Sequence, residues 1–140
     1  VGANDGVMGD SISRYALHRP WRGILIEPQP EVMVRLKDNY AAASDRMIFE
    51  NVAIGTAKDG ELVLWRANIN DAKSHFASTV ASANREAVAK QLHAGVAELE
   101  RIAVPMLTLD TLLAKHGWDR FDLLLIDTEG MDLDVLRSIA

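Results

Sequence analysis

Three sets of residues in this chain have types and spacing that suit ligand chemistry. They are the loop Val1-Gly2-Ala3-Asn4-Asp5-Gly6, Glu27 after the apolar run Gly23-Ile24-Leu25-Ile26, and Asp127 after the apolar run at 121–126. Open parallel sheets take ligands at the carboxyl ends of their strands, where the strand order switches. Glycines such as Gly2 and Gly6 let backbone approach a ligand closely and leave helix N–H groups aimed at it. A carboxylate at the end of the next strand accepts hydrogen bonds from the two hydroxyls of a ribose. Glu27 follows Gly6 by 21 residues (27 − 6), near the ~20 expected after a glycine loop of the dinucleotide type. The loop alone is G-x-N-x-G rather than G-x-G-x-x-G, and it also reads as a plain strand-to-helix turn in which Gly and Asn tolerate positive φ. In register with Glu27 it points to a nucleoside ligand.

Asp127 and Glu129 end the most apolar run of the chain. Neighbouring carboxylates at a site shift each other's pKa and serve as a base or a metal ligand; the competing role is to cap the helix that follows, for Asp127 or Thr128. Asp132 and Asp134 fall in that helix's first turns, where its dipole favours acids without any further function. Of the four histidines, His18 and His93 fall on helical segments and His116 near a helix C-terminus, while His75 lies in a polar stretch beside Ser74 and Ser78. His75 is the histidine kept as a candidate general base. No pair of histidines has metal-ligand spacing, and no nucleophile elbow is present.

The elements needed to position these groups alternate. A helix capped by Asp10 or Ser11 runs to about His18, and Pro20 ends it. A buried strand at 23–26 precedes a helix opened by Pro28 and Pro30, with Val32, Leu36 and Tyr40 as its buried stripe. A strand at 47–54, the turn Asp59-Gly60 and a strand at 61–65 follow. Residues 67–84 read as a long loop of the kind that covers active sites. A helix from Arg85 towards Glu98, a strand at 101–104 ended by Pro105, a helix at 109–115 capped by Thr108, a strand at 121–126 and a last helix complete the chain. The expected fold class is α/β: a Rossmann-like, doubly wound, mainly parallel sheet with helices on both faces. The strand expected before the glycine loop is represented by Val1 alone. The chain is therefore read as one domain, 1–140, cut from a longer protein, its first strand and C-terminal strands missing.

The 140 residues are 49% hydrophobic and 25% charged, an ordinary globular balance, with net charge −5 and no cysteine. The acidic balance argues against nucleic acid or an anionic membrane as the main partner. The absence of cysteine removes disulfides and thiolate metal sites and fits a cytoplasmic location. There is no apolar run of transmembrane length.

The ordered segments Val1-Gly-Ala-Asn-Asp-Gly6, Ile26-Glu-Pro-Gln-Pro-Glu31, Asn51-Val-Ala-Ile-Gly55, Val104-Pro-Met-Leu-Thr-Leu-Asp110 and Ile126-Asp-Thr-Glu-Gly130 resemble the FkbM family of S-adenosylmethionine-dependent methyltransferases. The resemblance spans nearly the whole chain. It departs from the commonest family form at Leu125, where that form carries a lysine. It implies a class I methyltransferase fold and S-adenosylmethionine as cofactor. By position it places Gly2, Asn4 and Gly6 around the amino-acid moiety, Glu27 on the ribose hydroxyls, Asn51 to Ala53 near the adenine edge, and Asp127 facing the transferred methyl group. It implies O-methylation of a hydroxyl on a sugar or secondary metabolite, with a small molecule or glycan as acceptor; for that chemistry Asp127 or His75 is the candidate to take the proton. Two other readings use the same residues: an NAD(P)-dependent oxidoreductase, and a catalytically silent nucleoside-binding or scaffold domain. The sequence leaves oligomeric state open.

Overall fold

Leu25 and Ile26 are neighbours on one short strand and are buried on opposite faces of it, as the period of two requires. The computed structural model describes residues 1–68, 75–93, 95 and 98–139. Its elements are α1 (Ser13–His18), β1 (Gly23–Ile26), α2 (Pro30–Asn39), a 3₁₀ turn Ala41–Ala43, β2 (Met47–Glu50), β3 (Ala53–Ile54), β4 (Glu61–Ala67), β5 (Ala81–Ser82), α3 (Arg85–Leu92), β6 (Leu99–Leu107), α4 (Leu109–Lys115) and α5 (Asp132–Arg137). Leu25 packs with Ala16 of α1, Met33 and Leu36 of α2, and Tyr40. Ile26 packs with Leu109 and Leu112 of α4 and Val135 of α5. Helices thus cover both sides of β1, the arrangement expected of an α/β fold.

The sheet differs from the doubly wound parallel one expected. β1 and β2 form a two-stranded parallel sheet, and β3-β6-β4-β5 form a second sheet. In the second, β3 runs parallel to β6, while β6 with β4 and β4 with β5 are antiparallel. The single strand expected at 47–54 divides at Asn51 and Val52. The Asn51 side chain donates to the carbonyls of Glu27 (2.8 Å) and Pro28 (3.0 Å), so the ladder from β1 ends there and the chain passes into the other sheet.

Pro105 does not end a strand. β6 runs through it, pairing it with Glu61, while β3 reaches only Met106 and Leu107. Pro105 thus has no strand neighbour on the β3 side, and its missing N–H breaks no ladder there. The helix expected towards Glu98 closes at Leu92, where His93 takes a left-handed conformation (φ 50°). Residues 121–126, expected as a strand, carry no ladder among the described residues. Their neighbour is Val1, whose nitrogen donates to the Leu125 carbonyl (2.7 Å) and whose carbonyl accepts from Asp127 N–H (3.0 Å). Gly2 and Ala3 N–H groups both donate to Ile26 O (2.9 Å each). The first three residues therefore bridge the end of β1 and residues 125–127. Of the expected loop at 67–84, residues 69–74 lie outside the described residues, 75–79 form turns, and Ala81–Ser82 adds the short strand β5.

Arg66 and Glu50 are buried and paired with opposite charges. Arg66 lies between Glu31 (2.6 Å) and Glu100 (2.6 Å). Glu50, at the end of β2, meets Lys115 (2.7 Å) and His116, so His116 holds a carboxylate as well as closing a helix. Burial works to raise the Glu50 carboxyl, and the bonds from Lys115 and His116 outweigh it and hold it below its ordinary value. Among the described residues, no helix is long and apolar enough to cross a membrane.

Candidate cofactor and active site

The glycine loop is shaped first by the protein's own packing. Gly2 adopts φ +73°, and a Cβ there would stand 1.8 Å from the Asp127 carbonyl oxygen. Gly6 adopts φ +75°, and a Cβ there would stand 2.6 Å from the Tyr40 ring. Glycine is required at both positions. Asn4, between them, is also left-handed (φ 50°), a conformation its short polar side chain tolerates. Its side-chain oxygen accepts from Asp5 N–H (2.7 Å), and its own N–H donates to Glu27 Oε2 (3.1 Å). The loop thereby wraps the Glu27 carboxylate.

Glu27 is buried. Its Oε1 accepts from the N–H of Gln29 (2.9 Å). Burial pushes its carboxyl up to about 7, against the opposing pull of the Gln29 and Asn4 amides. Each carboxylate oxygen has lone-pair capacity left for a ligand donor. Gln29 is itself buried at 2% exposure; its Nε2 donates to Thr79 O (2.9 Å), and its Oε1 has no partner among the described residues.

These groups line one cavity of about 970 Å³. One end is polar, with Gly2, Asn4, Glu27, Gln29, Asp127 and Glu129 in its wall and Phe76, Thr79 and Val80 alongside. The cavity continues between β1 and residues 121–125 over Ile24, Leu112 and Leu124. The volume falls within the ~300–1,000 Å³ of small-molecule and cofactor sites.

Asp127 is exposed and lines the polar end. Thr128 rather than Asp127 meets the next helix: its N–H (2.9 Å) and hydroxyl (2.5 Å) both donate to Asp132 Oδ1. Glu129 is left-handed (φ 52°), and its carbonyl accepts from the Ser82 hydroxyl (2.7 Å). His75 is half exposed, with Nε2 against Asp5 Oδ2. Asp127 and His75 thus abut the same loop, one at Gly2 and the other at Asp5. Gly6, Asn51, Ala53 and His75 are not among the residues that line the cavity. Asn51 acts as the strut described above, and Ala53 is buried with Leu64 and Val104. Among the described residues, no group of three or more His, Asp or Glu is arranged to hold a metal ion.

Asp5 and Gln29 were not singled out from the sequence. Asp5 is 1% exposed; its Oδ1 accepts from the N–H groups of Val7 (3.0 Å) and Met8 (2.8 Å), and its carbonyl accepts from Asn39 Nδ2 (2.8 Å). An Asp two and three residues before unpaired N–H groups is a recognisable Asx turn, but its pairing with His75 is not encoded locally. Gln29, between two prolines, gives no sequence sign of the direction its amide faces.

A family model described as the methyltransferase FkbM domain matches residues 1–140. The chain belongs to this methyltransferase family. No curated protein and no solved structure matches it.

Proposed function

We propose that this chain is the cofactor-binding core of an S-adenosylmethionine-dependent methyltransferase that methylates a hydroxyl oxygen on a sugar, glycan or secondary metabolite. The observation that carries the reading is the meeting of the Gly2–Gly6 loop, the Glu27 carboxylate and Asp127 at one end of a single cavity. The residues present fit the cofactor. The buried wall offers acceptors, the Glu27 carboxylate and the unpartnered Gln29 Oε1, which suit the hydroxyls and amine of a nucleoside and repel a phosphate.

When bound, S-adenosylmethionine supplies an electrophilic sulfonium methyl. The protein's tasks are to hold donor and acceptor in line, exclude water and remove one proton. Glu27 accepts from the ribose hydroxyls. The loop around Gly2 and Asn4 cradles the amino-acid end. His75, held at Nε2 by Asp5, or Asp127 on the cavity wall would take the acceptor's hydroxyl proton.

Calorimetric titration with S-adenosylhomocysteine and with NAD tests the cofactor. Binding of NAD without binding of S-adenosylhomocysteine overturns the reading. A panel of hydroxylated acceptors tests the transfer. Replacing both Asp127 and His75 by Ala should lower the rate by more than about tenfold, and a smaller fall removes them as the base.

A further inference from the structure

We infer that Gln29 is a nucleoside-binding residue: its Oε1 accepts a hydrogen bond from a donor on the bound nucleoside, while its Nε2 ties that ligand to the wall at residues 75–80. The inference rests on the nucleoside reading of the Glu27 site and adds a residue that reading did not contain.

The side chain is 2% exposed, yet half of its amide is unused. Its orientation is set by the bond from Nε2 to the Thr79 carbonyl. Turning the amide over would place oxygen against oxygen, so the unpaired atom is the acceptor. Buried acceptors without partners are rare in native structures, and a water, an ion or a ligand commonly completes them. Gln29 stands at the N-cap of α2, where a side chain commonly accepts from the first turn, but it makes no capping bond. Gln29 is among the residues lining the cavity that Glu27 also lines, and its own N–H binds Glu27 Oε1. Two acceptors on one buried wall call for a ligand face rich in donors, which a vicinal diol or an exocyclic amine provides.

The amide also makes the residue a bridge. Thr79 belongs to the turn segment holding His75, Phe76 and Ser78, which Arg35 also contacts through Ser78 O (3.4 Å) and Asp5 through His75. A donor on Oε1 polarises the amide and strengthens the bond from Nε2 to Thr79 O. Nucleoside binding at Glu27 is thereby coupled to the wall that carries His75.

The test is calorimetry of the whole chain with S-adenosylhomocysteine and with S-inosylhomocysteine, whose base has a carbonyl in place of the amine, on the wild type and on Gln29→Met. The variant keeps the side chain's length and loses both polar ends, and its thermal transition checks that it folds. S-adenosylhomocysteine should bind the variant at least about tenfold more weakly. If the donor is the base amine, the variant loses little with the inosine analogue; if it is a ribose hydroxyl, the variant loses equally with both. Affinities within twofold of wild type for both ligands overturn the inference and leave the nucleoside reading standing. No binding of either ligand to the wild type overturns both. A second measurement needs no folded variant: the Gln29 side-chain ¹⁵N amide resonance of the wild type should shift and exchange more slowly on adding S-adenosylhomocysteine, and an unchanged resonance in the bound protein overturns the inference.

Discussion

Asp5 and His75, 70 residues apart in sequence, form a side-chain pair beside the glycine loop, with Nε2 of the imidazole on Oδ2 of the carboxylate. The other oxygen of Asp5 is occupied by the N–H groups of Val7 and Met8. A buried carboxylate so fixed sets both the direction and the tautomer of the ring it touches.

If His75 is the base, Asp5→Asn and His75→Ala should each lower the methyl-transfer rate by about tenfold to a thousandfold, with the affinity for S-adenosylhomocysteine changed less than about threefold. The double variant should be scarcely slower than the worse single one, because the two residues act as a unit. Additive losses in single-turnover rates would mean that they act apart.

Asp5 also links stability to acid. Burial works to raise its carboxyl, but the amides of Met8 and Val7, followed by His75, outweigh it and hold it below its ordinary value. With the folded pKa depressed, its contribution is present above the ordinary carboxylate pKa and is lost as pH falls through the folded one. Urea titrations should show a shallower acid limb for Asp5→Asn than for wild type.

Glu27 has the opposite sign. Its folded pKa of about 7 lies above the ordinary 4.5, so the unfolded chain binds fewer protons between those values, and stability falls as pH rises through that window. Ligand hydroxyls favour the carboxylate. Affinity for S-adenosylhomocysteine should therefore rise by up to about tenfold per pH unit below about pH 7 and level off above it. Glu27→Gln should bind more weakly, with a flat pH profile in calorimetry. A wild-type profile that is flat from about pH 5.5 to 8.5 would contradict this assignment.

Gly2 and Gly9 separate backbone strain from collision. Both have φ near +70°, but a Cβ at Gly9 meets nothing within 4 Å, whereas one at Gly2 meets the Asp127 carbonyl. Gly9→Ala should cost about 1–2 kcal/mol. Gly2→Ala should cost at least about 2 kcal/mol more, since Asp127 must move. Equal midpoints in urea denaturation would show that the loop yields without cost.

Asn51→Asp should destabilise more than Asn51→Ala. Ala leaves the Glu27 and Pro28 carbonyls without their donor, a loss of about 1–3 kcal/mol. Asp puts an acceptor against those carbonyls. Thermal unfolding of both variants gives the order.

The helices and β1 were legible because their signals are local. Thr108 accepts from Thr111 N–H (3.1 Å) as a cap, Val32 and Leu36 are fully buried on one stripe of α2, and Ile26 is buried just before Glu27. The ordered motifs also carried the family. The sheet was not legible, because strand order and direction depend on partners far along the chain: β4 pairs antiparallel with β6 across some 40 intervening residues, for instance Glu61 with Pro105. Asn51 was expected near adenine, and no propensity reports that its amide instead binds the carbonyls of Glu27 and Pro28. The demand for glycine at positions 2 and 6 comes from Asp127 and Tyr40, which only the folded chain brings to them.

At Asn51 the chain passes from one sheet to the other, so the cavity takes its wall from two parts of the fold. One part holds β1, β2 and Glu27, and the other holds Thr79, just before β5 on the edge of the antiparallel β6-β4-β5 ladder. Native proteins open locally, each opening with its own free energy. A ligand gripped from both sides at once stabilises both by the same mass-action term. A ligand held by Glu27 on one side and by the Thr79 segment on the other would therefore couple the local openings of the two.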